Sequence, residues 1–296
     1  MQKTRVLSIF FQKGGVGKTT ISINLAAALA LMLADEAARN QSEPGRVLVI
    51  DLDPQTHAEI ALLKQLVAQG QTPKNGLGKR DNIAGLLKGD AELPLHSIIR
   101  TAAIPVGASE NLDFIPSSKE GMSDIISELV LDGLKPGRTN PLNRLQEIVE
   151  QLEEFYEYII LDTPPELNLL SLNSLVAATH VLIPLILEGL SLESLSDALR
   201  TIESIRRKQN KNLKLIGLLP NMVNFQLQDP RMSYDQLREK FGDLILAPLS
   251  RRADVSHSIG VEGLDIFSYR QSSAITEGSP RWEFAQMAQD VRRRMG

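Results

Sequence analysis

The chain of 296 residues contains no cysteine, and its few histidines are widely separated. Without cysteine there are no disulfides, no zinc site with cysteine ligands and no iron–sulfur cluster. The histidines, His57, His96, His180 and His257, show no spacing typical of metal ligands. Zinc and redox chemistry based on these side chains is therefore excluded from the functions that the sequence allows.

The sequence predicts neither an export signal nor a membrane-spanning helix. No apolar run approaches the roughly 18 residues that a membrane helix needs, and the first predicted strand leaves no room for a signal peptide. We therefore expect a soluble, cytoplasmic protein. The net charge of −4 argues against a uniformly basic nucleic-acid binder. Residues 200–296 nevertheless hold 16 Lys and Arg against 11 Asp and Glu, so a local basic surface is compatible with the acidic total.

Predicted strands and helices alternate, which favours an α/β fold with a mostly parallel twisted sheet and helices on both faces. Apolar residues make up 43% of the chain, enough for a buried core. No repeat or long linker divides the sequence, so we expect a single domain over residues 1–296. The predicted strands are 6–11, 46–51, 112–116, 158–162, 180–184, 213–219 and an edge strand, 244–249. The predicted helices are 21–29, 191–207 and 282–294, and the predicted loops include 40–45, 70–81 and 132–137.

The most informative segment is Gln12-Lys13-Gly14-Gly15-Val16-Gly17-Lys18-Thr19-Thr20, between a buried strand and a helix. It keeps the Gly-Lys-Thr end of the phosphate-loop pattern G-x-x-x-x-G-K-[ST], but it lacks the first glycine and contains a second lysine, Lys13. Glycines allow backbone N–H groups to surround phosphate oxygens, and the helix N-terminus favours an anion. In such a loop Lys18 reaches the β- and γ-phosphates, and the Thr19 hydroxyl binds Mg²⁺.

Three aspartates follow predicted apolar strands. Asp51 and Asp53 end one strand, and Asp162 ends another. Because ligands of parallel sheets bind beyond the carboxyl ends of the strands, we expect all three beside the phosphate loop. Asp162 is the candidate for holding Mg²⁺ through water, Asp51 for supporting the metal, and Asp53 for orienting the attacking water.

Together these motifs resemble the ParA/MinD family of deviant Walker-A ATPases, most closely its ParA branch, over nearly the whole chain. The segments that carry the resemblance are residues 12–20, 49–55 and 159–177. The resemblance implies a P-loop NTPase fold of the SIMIBI type, with ATP and Mg²⁺ as cofactors and slow, partner-stimulated hydrolysis. The implied nucleotide contacts are Gly14, Gly15, Val16, Gly17, Lys18, Thr19, Thr20 and, at the adenine base, Asn221. The implied metal-site residues are Thr19, Asp51 and Asp162.

The resemblance also implies a homodimer in the ATP state, with Lys13 crossing the interface to the partner's nucleotide. Lys13, Lys18 and Asp53 are then the catalytic candidates. ParA-branch dimers bind DNA non-specifically, associate with the nucleoid and use a ParB-like or cargo-adaptor partner, without a membrane. The basic candidates for DNA contact are Arg206, Arg207, Lys208, Lys211, Arg231, Arg238, Arg251, Arg252 and Arg270.

The sequence departs from the family pattern at Thr56-His57-Ala58-Glu59, beside Asp53, which affects the expected hydrolysis rate and not ATP binding. No helix-turn-helix domain fits before Ser8, so operator binding is not expected. One alternative is a MinD-like regulator at a membrane surface, which needs a bulky apolar C-terminal helix that residues 287–296 hardly provide. Another is a metabolic relative of the same fold, whose cluster-bridging versions are excluded by the missing cysteines.

Overall fold

A computed structural model describes residues 3–55, 82–89, 94–102, 110–122, 124–135, 140–259, 265–269 and 275–296. The segments at residues 56–59 and 70–81, for which the sequence makes predictions, lie outside these ranges, and so does Arg270. Within the described residues, seven strands form one sheet. The strands are β1 (Arg5–Ile9), β2 (Val47–Asp51), β3 (Arg100–Ala102), β4 (Leu112–Ile115), β5 (Tyr158–Asp162), β6 (His180–Leu185) and β7 (Lys214–Pro220).

The sheet order is β3-β4-β2-β5-β1-β6-β7, and every neighbouring pair is parallel except β3 with β4. The first strand therefore lies inside the sheet, between β5 and β6. Asp162 is the register partner of Ile9 on one side and of Asp51 on the other. The carboxyl ends of β1, β2 and β5 thus meet, and the phosphate loop leaves the sheet at that point.

Helices cover both faces of this sheet. The described helices are α1 (Lys18–Asn40), α2 (Ile83–Lys88), α3 (Leu95–Ile98), α4 (Lys119–Met122), α5 (Ile125–Gly133), α6 (Arg144–Glu150), α7 (Leu169–Ala177), α8 (Leu192–Lys208), α9 (Gln228–Phe241), α10 (Ala253–His257) and α11 (Pro280–Met295). Successive strand residues alternate between two apolar clusters, with Val6 in one and Leu7 in the other. Helices α6, α7 and α8 pack on the Val6 face, and α1 and α11 pack on the Leu7 face. The predicted α/β architecture is confirmed.

The predicted edge strand at residues 244–249 is wrong. A 3₁₀ turn, Gly242–Leu244, ends where the strand was expected, and only isolated bridges follow, from Ile245 to Leu218 and from Ser250 to Val223. Pro248 has no N–H to donate, so a continuous ladder cannot form there. The predicted loop at 132–137 also begins too early, because α5 extends through Gly133.

Helix α1 contradicts the expectation that no apolar run reaches membrane-spanning length. An 18-residue window of Lys18–Asn40 has a mean hydropathy of 1.5 and meets the criterion by length and composition. Two-thirds of that window is buried, against the sheet and α11. The alanines and leucines that let α1 pack closely in the core also raise its hydropathy.

Candidate nucleotide site

The loop between β1 and α1 depends on two glycines with left-handed backbone angles. Gly15 has φ of +74° and Gly17 has φ of +84°, a region that side-chain-bearing residues rarely adopt. A Cβ atom on Gly17 would also lie only 2.4 Å from Nδ2 of Asn221. Gly17 caps α1 and its carbonyl accepts from Ile21 N, so the loop passes directly into the helix. The first N–H groups of α1 thus lie beside this loop, where an anion is stabilised.

Lys18 is a buried cation held only by backbone carbonyls in the described residues. Lys18 is 6% exposed. Its Nζ donates to the carbonyl oxygens of Phe11 at 3.3 Å and Lys13 at 3.0 Å. Burial lowers the pKa of Lys18, while the charges of Asp162 and Asp53 act in the opposite direction. A phosphate group would supply the anionic partner that this ammonium lacks.

Asp162 lies fully buried beneath the loop and joins β5 to α1. Its Oδ2 accepts from the Thr19 hydroxyl at 2.7 Å, and the Ser22 hydroxyl lies 3.0 Å from Oδ1. Burial raises the pKa of Asp162, against the two hydroxyl hydrogen bonds, which lower it. Hydroxyl and carboxylate oxygens are ligands that suit Mg²⁺, directly or through water.

The donor set therefore fits Mg²⁺ bound together with phosphate. In the described part of the chain, no group of three or more His, Asp or Glu side chains is placed to hold a metal ion. Mg²⁺ usually takes one or two protein ligands and completes its shell with water and phosphate oxygens. Thr19 and Asp162 are the residues that could contribute to such a shell.

Asp51 and Asp53 form a tight turn after β2. Oδ1 of Asp51 accepts from Asp53 N at 2.9 Å, and Oδ1 of Asp53 accepts from Gln55 N at 2.9 Å. Both aspartates are buried. Asp53 and Gln55, but not Asp51, are among the residues that line a cleft of about 400 Å³ together with Gly14, Lys18 and Thr19. The structure thus places Asp53 in the cleft and gives Asp51 a role in shaping the turn.

Asn221 follows β7 and contacts the loop from the other side. Its Nδ2 donates to the Val16 carbonyl at 2.9 Å. Asn221 as a whole is 4% exposed. A smaller cavity of about 180 Å³, lined by Thr20, Asn221 and Met222, lies next to the larger cleft, because both are lined by Thr20. Asn221 therefore lies in the wall of the smaller cavity, and its contact with the adenine base stays a prediction from the family resemblance.

Lys13 differs from Lys18 in exposure. Lys13 and its neighbours Gly14 and Gly15 are exposed at the tip of the loop, whereas Lys18 is buried below them. Lys13 contacts Lys18 through its backbone carbonyl, which accepts from Lys18 Nζ. The side chain of Lys13 is thus presented to the outside of this chain.

The described basic residues predicted to contact DNA do not all line one cavity. Arg206 and Lys211 line a pocket near the start of β6 and β7, while Arg252 and Arg251 line the small cavity with Asn221. Arg231 donates to the Phe225 carbonyl. Arg206 and Arg207 both pair with Glu203, Arg252 pairs with Glu283, and Lys208, Lys211 and Arg238 are exposed.

Sequence reasoning missed Ser22 and Asn24, which hold the site together. Ser22 lies one helical turn after Thr19, so both hydroxyls reach Asp162; this i, i+3 spacing is a signal that the sequence does contain. Oδ1 of Asn24 accepts from Ile266 N at 2.7 Å, and its Nδ2 donates to the Thr20 carbonyl. No local sequence pattern predicts the contact between Asn24 and Ile266, which are far apart in the chain.

A parallel sheet whose first strand leads through this loop into a helix, with Asp162 at the adjacent strand end, defines a P-loop nucleotide-binding protein. The sequence pattern of the AAA domain matches residues 4–215. The chromosome partitioning protein ParA of Myxococcus xanthus is 34% identical over 241 residues, covering 80% of this chain and 71% of that protein. The sporulation initiation inhibitor protein Soj of Bacillus subtilis is 30% identical over 246 residues, covering 81% of each chain.

The fold is also that of apo McdA from Cyanothece, with a TM-score of 0.73, 19% identity and coverage of 99% of this chain and 100% of that one. The chain belongs to the ParA/MinD family of P-loop ATPases. The resemblance carried by residues 12–20, 49–55 and 159–177 is thereby confirmed. As a member, the protein is an ATPase whose cofactors are ATP and Mg²⁺.

Proposed function

We propose that this single domain, residues 1–296, is a partition ATPase that dimerises on ATP·Mg²⁺, binds DNA non-specifically and segregates plasmid or chromosomal DNA, or positions another cargo. A ParB-like partner stimulates hydrolysis and releases the dimer from the nucleoid. The observation that carries the proposal is the contrast between Lys18, which is 6% exposed below the loop, and Lys13, which is exposed at its tip. One loop thus has a cation for its own nucleotide and a cation for a partner's.

Lys18 and the loop glycines hold the phosphates of the chain's own ATP. The Nζ atom of Lys18 exchanges its carbonyl partners for β- and γ-phosphate oxygens, which gives the buried ammonium an anionic partner. Gly15 and Gly17 keep the N–H groups directed toward the phosphates. Asn221, fixed on the Val16 carbonyl, borders the smaller cavity, where the base is held.

Lys13 acts on the nucleotide of the second protomer. Two nucleotides that face each other across an interface repel, and a cation supplied by each partner offsets that repulsion. The same cation stabilises charge that develops on the transferred phosphoryl group, as an arginine finger does. Dimerisation and hydrolysis therefore both depend on Lys13.

Asp53 orients the attacking water, because it is the aspartate that lines the cleft beside Lys18 and Thr19. When bound, Mg²⁺ neutralises charge on the phosphates. Thr19 and Asp162 would hold it, and Asp51 would support its water ligands through the turn that it shares with Asp53.

ATP-dependent DNA contact is best supported at Arg251 and Arg252. They border the cavity that also contains Thr20 and Asn221, so nucleotide binding can alter their surroundings. Lys208, Arg231 and the other described basic candidates are not among the residues that line this cavity. Such contacts would go to backbone phosphates and carry no sequence information.

The MinD-like alternative is disfavoured by helix α11. Its apolar side chains Met287, Val291 and Met295 are 2%, 0% and 7% exposed, packed in the cluster that contains α1. Its basic residues Arg292 and Arg294 pair with Glu36 and Asp290. An amphipathic membrane anchor needs an apolar face that is free to enter the lipid interface.

Co-sedimentation with DNA fragments and with anionic lipid vesicles, each with ATP·Mg²⁺ and with ADP·Mg²⁺, tests the proposal. We expect binding to DNA in ATP only, lost in Arg251→Gln/Arg252→Gln, with vesicles left unbound. A variant that loses two charges elsewhere, Arg293→Gln/Arg294→Gln, should bind DNA like the parent. Vesicle binding without DNA binding would favour the MinD-like function instead.

A further inference from the structure

A second concave site lies at the amino ends of the strands, on the opposite side of the sheet from the end that carries the phosphate loop. The loop follows the carboxyl end of β1, whereas this pocket, of about 700 Å³, is at the amino ends of β1, β6 and β7. The lysine, arginine and histidine residues that line the pocket are Lys3, Arg5, His180, Arg206, Lys211 and Lys214. The nucleotide site uses none of them.

The side chains that line this pocket carry positive charge. Five of its lining residues are Lys or Arg, and none of the described residues that line it is Asp or Glu. Arg5 is held by the Gly296 carbonyl and by Glu157, and Arg206 pairs with Glu203. For Lys3, Lys211 and Lys214 the described residues provide no ion pair. Cations gathered in a concavity raise the local concentration of anions.

His180 adds a polar atom that the fold leaves without a partner. The residue is 6% exposed, and Nδ1 lies 2.8 Å from the Thr179 hydroxyl, but Nε2 is buried and has no hydrogen-bond partner among the described residues. Buried polar atoms are nearly always paired, with protein, water or a ligand. Because His180 lines the pocket, an anion bound there is a candidate partner for Nε2.

We propose that this pocket binds a small phosphate-bearing anion, independently of the P-loop. Its volume falls in the range of about 300–1,000 Å³ that is usual for small-molecule sites. Arg5 and His180, which are 8% and 6% exposed, are too deep for the backbone of a DNA duplex. A free phosphate group or a phosphomonoester is small enough to reach them, and Arg and Lys are the usual phosphate-binding side chains.

The test uses inorganic phosphate as the probe, with the P-loop filled by a non-hydrolysable ATP analogue and Mg²⁺. Binding is measured by calorimetry and by the NMR signals of the histidine rings, in a buffer free of phosphate and sulfate. The pocket variant is Lys211→Gln/Lys214→Gln. Its control, Arg207→Gln/Lys208→Gln, removes the same charge from the same region, but neither residue lines the pocket.

We expect saturable phosphate binding in the parent and in the control, weakened by about tenfold or more in the pocket variant, since charge-assisted hydrogen bonds are lost. A phosphate-dependent shift of one ring signal should disappear in His180→Gln. Absence of saturable binding, or equal weakening in both double variants, would overturn the proposal. It would also be overturned if a DNA duplex, and not phosphate, lost affinity selectively in the pocket variant.

Discussion

The hydroxyl of Thr19 donates to Oδ2 of Asp162 across 2.7 Å, although 143 residues separate the two in the chain. Thr19 lies in the first turn of α1, and Asp162 ends β5, the strand that pairs with β1. The contact therefore joins the first and third sequence motifs. It also holds both groups where a metal between phosphate and carboxylate would need them.

Thr19→Val should weaken Mg²⁺-dependent nucleotide binding by about tenfold or more, because the metal-facing hydroxyl is lost while the shape is kept. The buried Oδ2 of Asp162 also loses its donor, which costs about 1–3 kcal/mol of stability. Nucleotide titration with and without Mg²⁺, together with urea unfolding, measures the two effects. Ser22→Ala removes the donor near Oδ1 and should lower stability alone. Equal losses of Mg²⁺ dependence in both variants would contradict the role of Thr19.

Lys13→Gln and Lys18→Gln should distinguish the functions of the two lysines of the loop. Lys18→Gln removes the buried ammonium that meets the phosphates and should abolish ATP binding. Lys13→Gln leaves that ammonium in place, so it should bind ATP with affinity near that of the parent and remain monomeric. Fluorescent-nucleotide titration and analytical ultracentrifugation in ATP·Mg²⁺ give both results. An intact ATP dimer in Lys13→Gln would refute the action of Lys13 on the partner's nucleotide.

Asp53→Asn should bind ATP and dimerise but hydrolyse it about a hundredfold more slowly, a loss typical of removing a group that activates water. The asparagine oxygen can still accept from Gln55 N, so the turn after β2 is preserved. Phosphate release and the fraction of dimer during turnover are the measurements. Because dimers persist until hydrolysis, the dimer fraction should rise as the rate falls. An unchanged rate would show that Asp53 does not orient the water.

His180 should make the protein less stable in mild acid. Burial, together with the charges of Lys214 and Arg5, lowers the pKa of His180 to about 4, compared with about 6.5 for a histidine in an unfolded chain. Between these values the unfolded state binds the extra proton, so stability decreases as pH falls from about 6.5 toward 4. In His180→Gln the loss of unfolding free energy between pH 7 and pH 5 should be smaller, measured in urea without phosphate. His96→Gln, at an exposed histidine, controls for the substitution, and equal losses in all three proteins would contradict the assignment.

Much of the central sheet could be predicted because its strands are buried on both faces and consist of continuous apolar residues. The strand at 158–162 is found with the predicted ends, and the others differ by one to a few residues. The phosphate loop can also be predicted, because its glycines and its Gly-Lys-Thr end form a specific sequence pattern. The structure confirms that Gly15 and Gly17 have positive φ.

Other features depend on contacts that sequence patterns do not record. Strand β3, Arg100–Ala102, is three residues long and pairs at one edge, so it has no apolar signal of its own. The apolar residues at 244–249 suggested a strand, but Leu246 fills space left by Gly217, where a Cβ would lie 2.0 Å from Leu246 Cδ1. Arg206 and Lys211 line one cavity and Arg251 and Arg252 another, a division that net charge cannot show.

The position of β1 between β5 and β6 has a consequence for synthesis of the protein. Ile9 accepts from Thr163, 154 residues later, and Val6 donates to Thr179, 173 residues later. The strand that carries the phosphate loop therefore cannot dock until more than half of the chain has left the ribosome. Contacts between such distant segments form slowly, because the long loop must first be closed. The nucleotide site joins residues of the first and second halves of the chain, so the contact of Thr19 with Asp162 can form only after Asp162 has been synthesised.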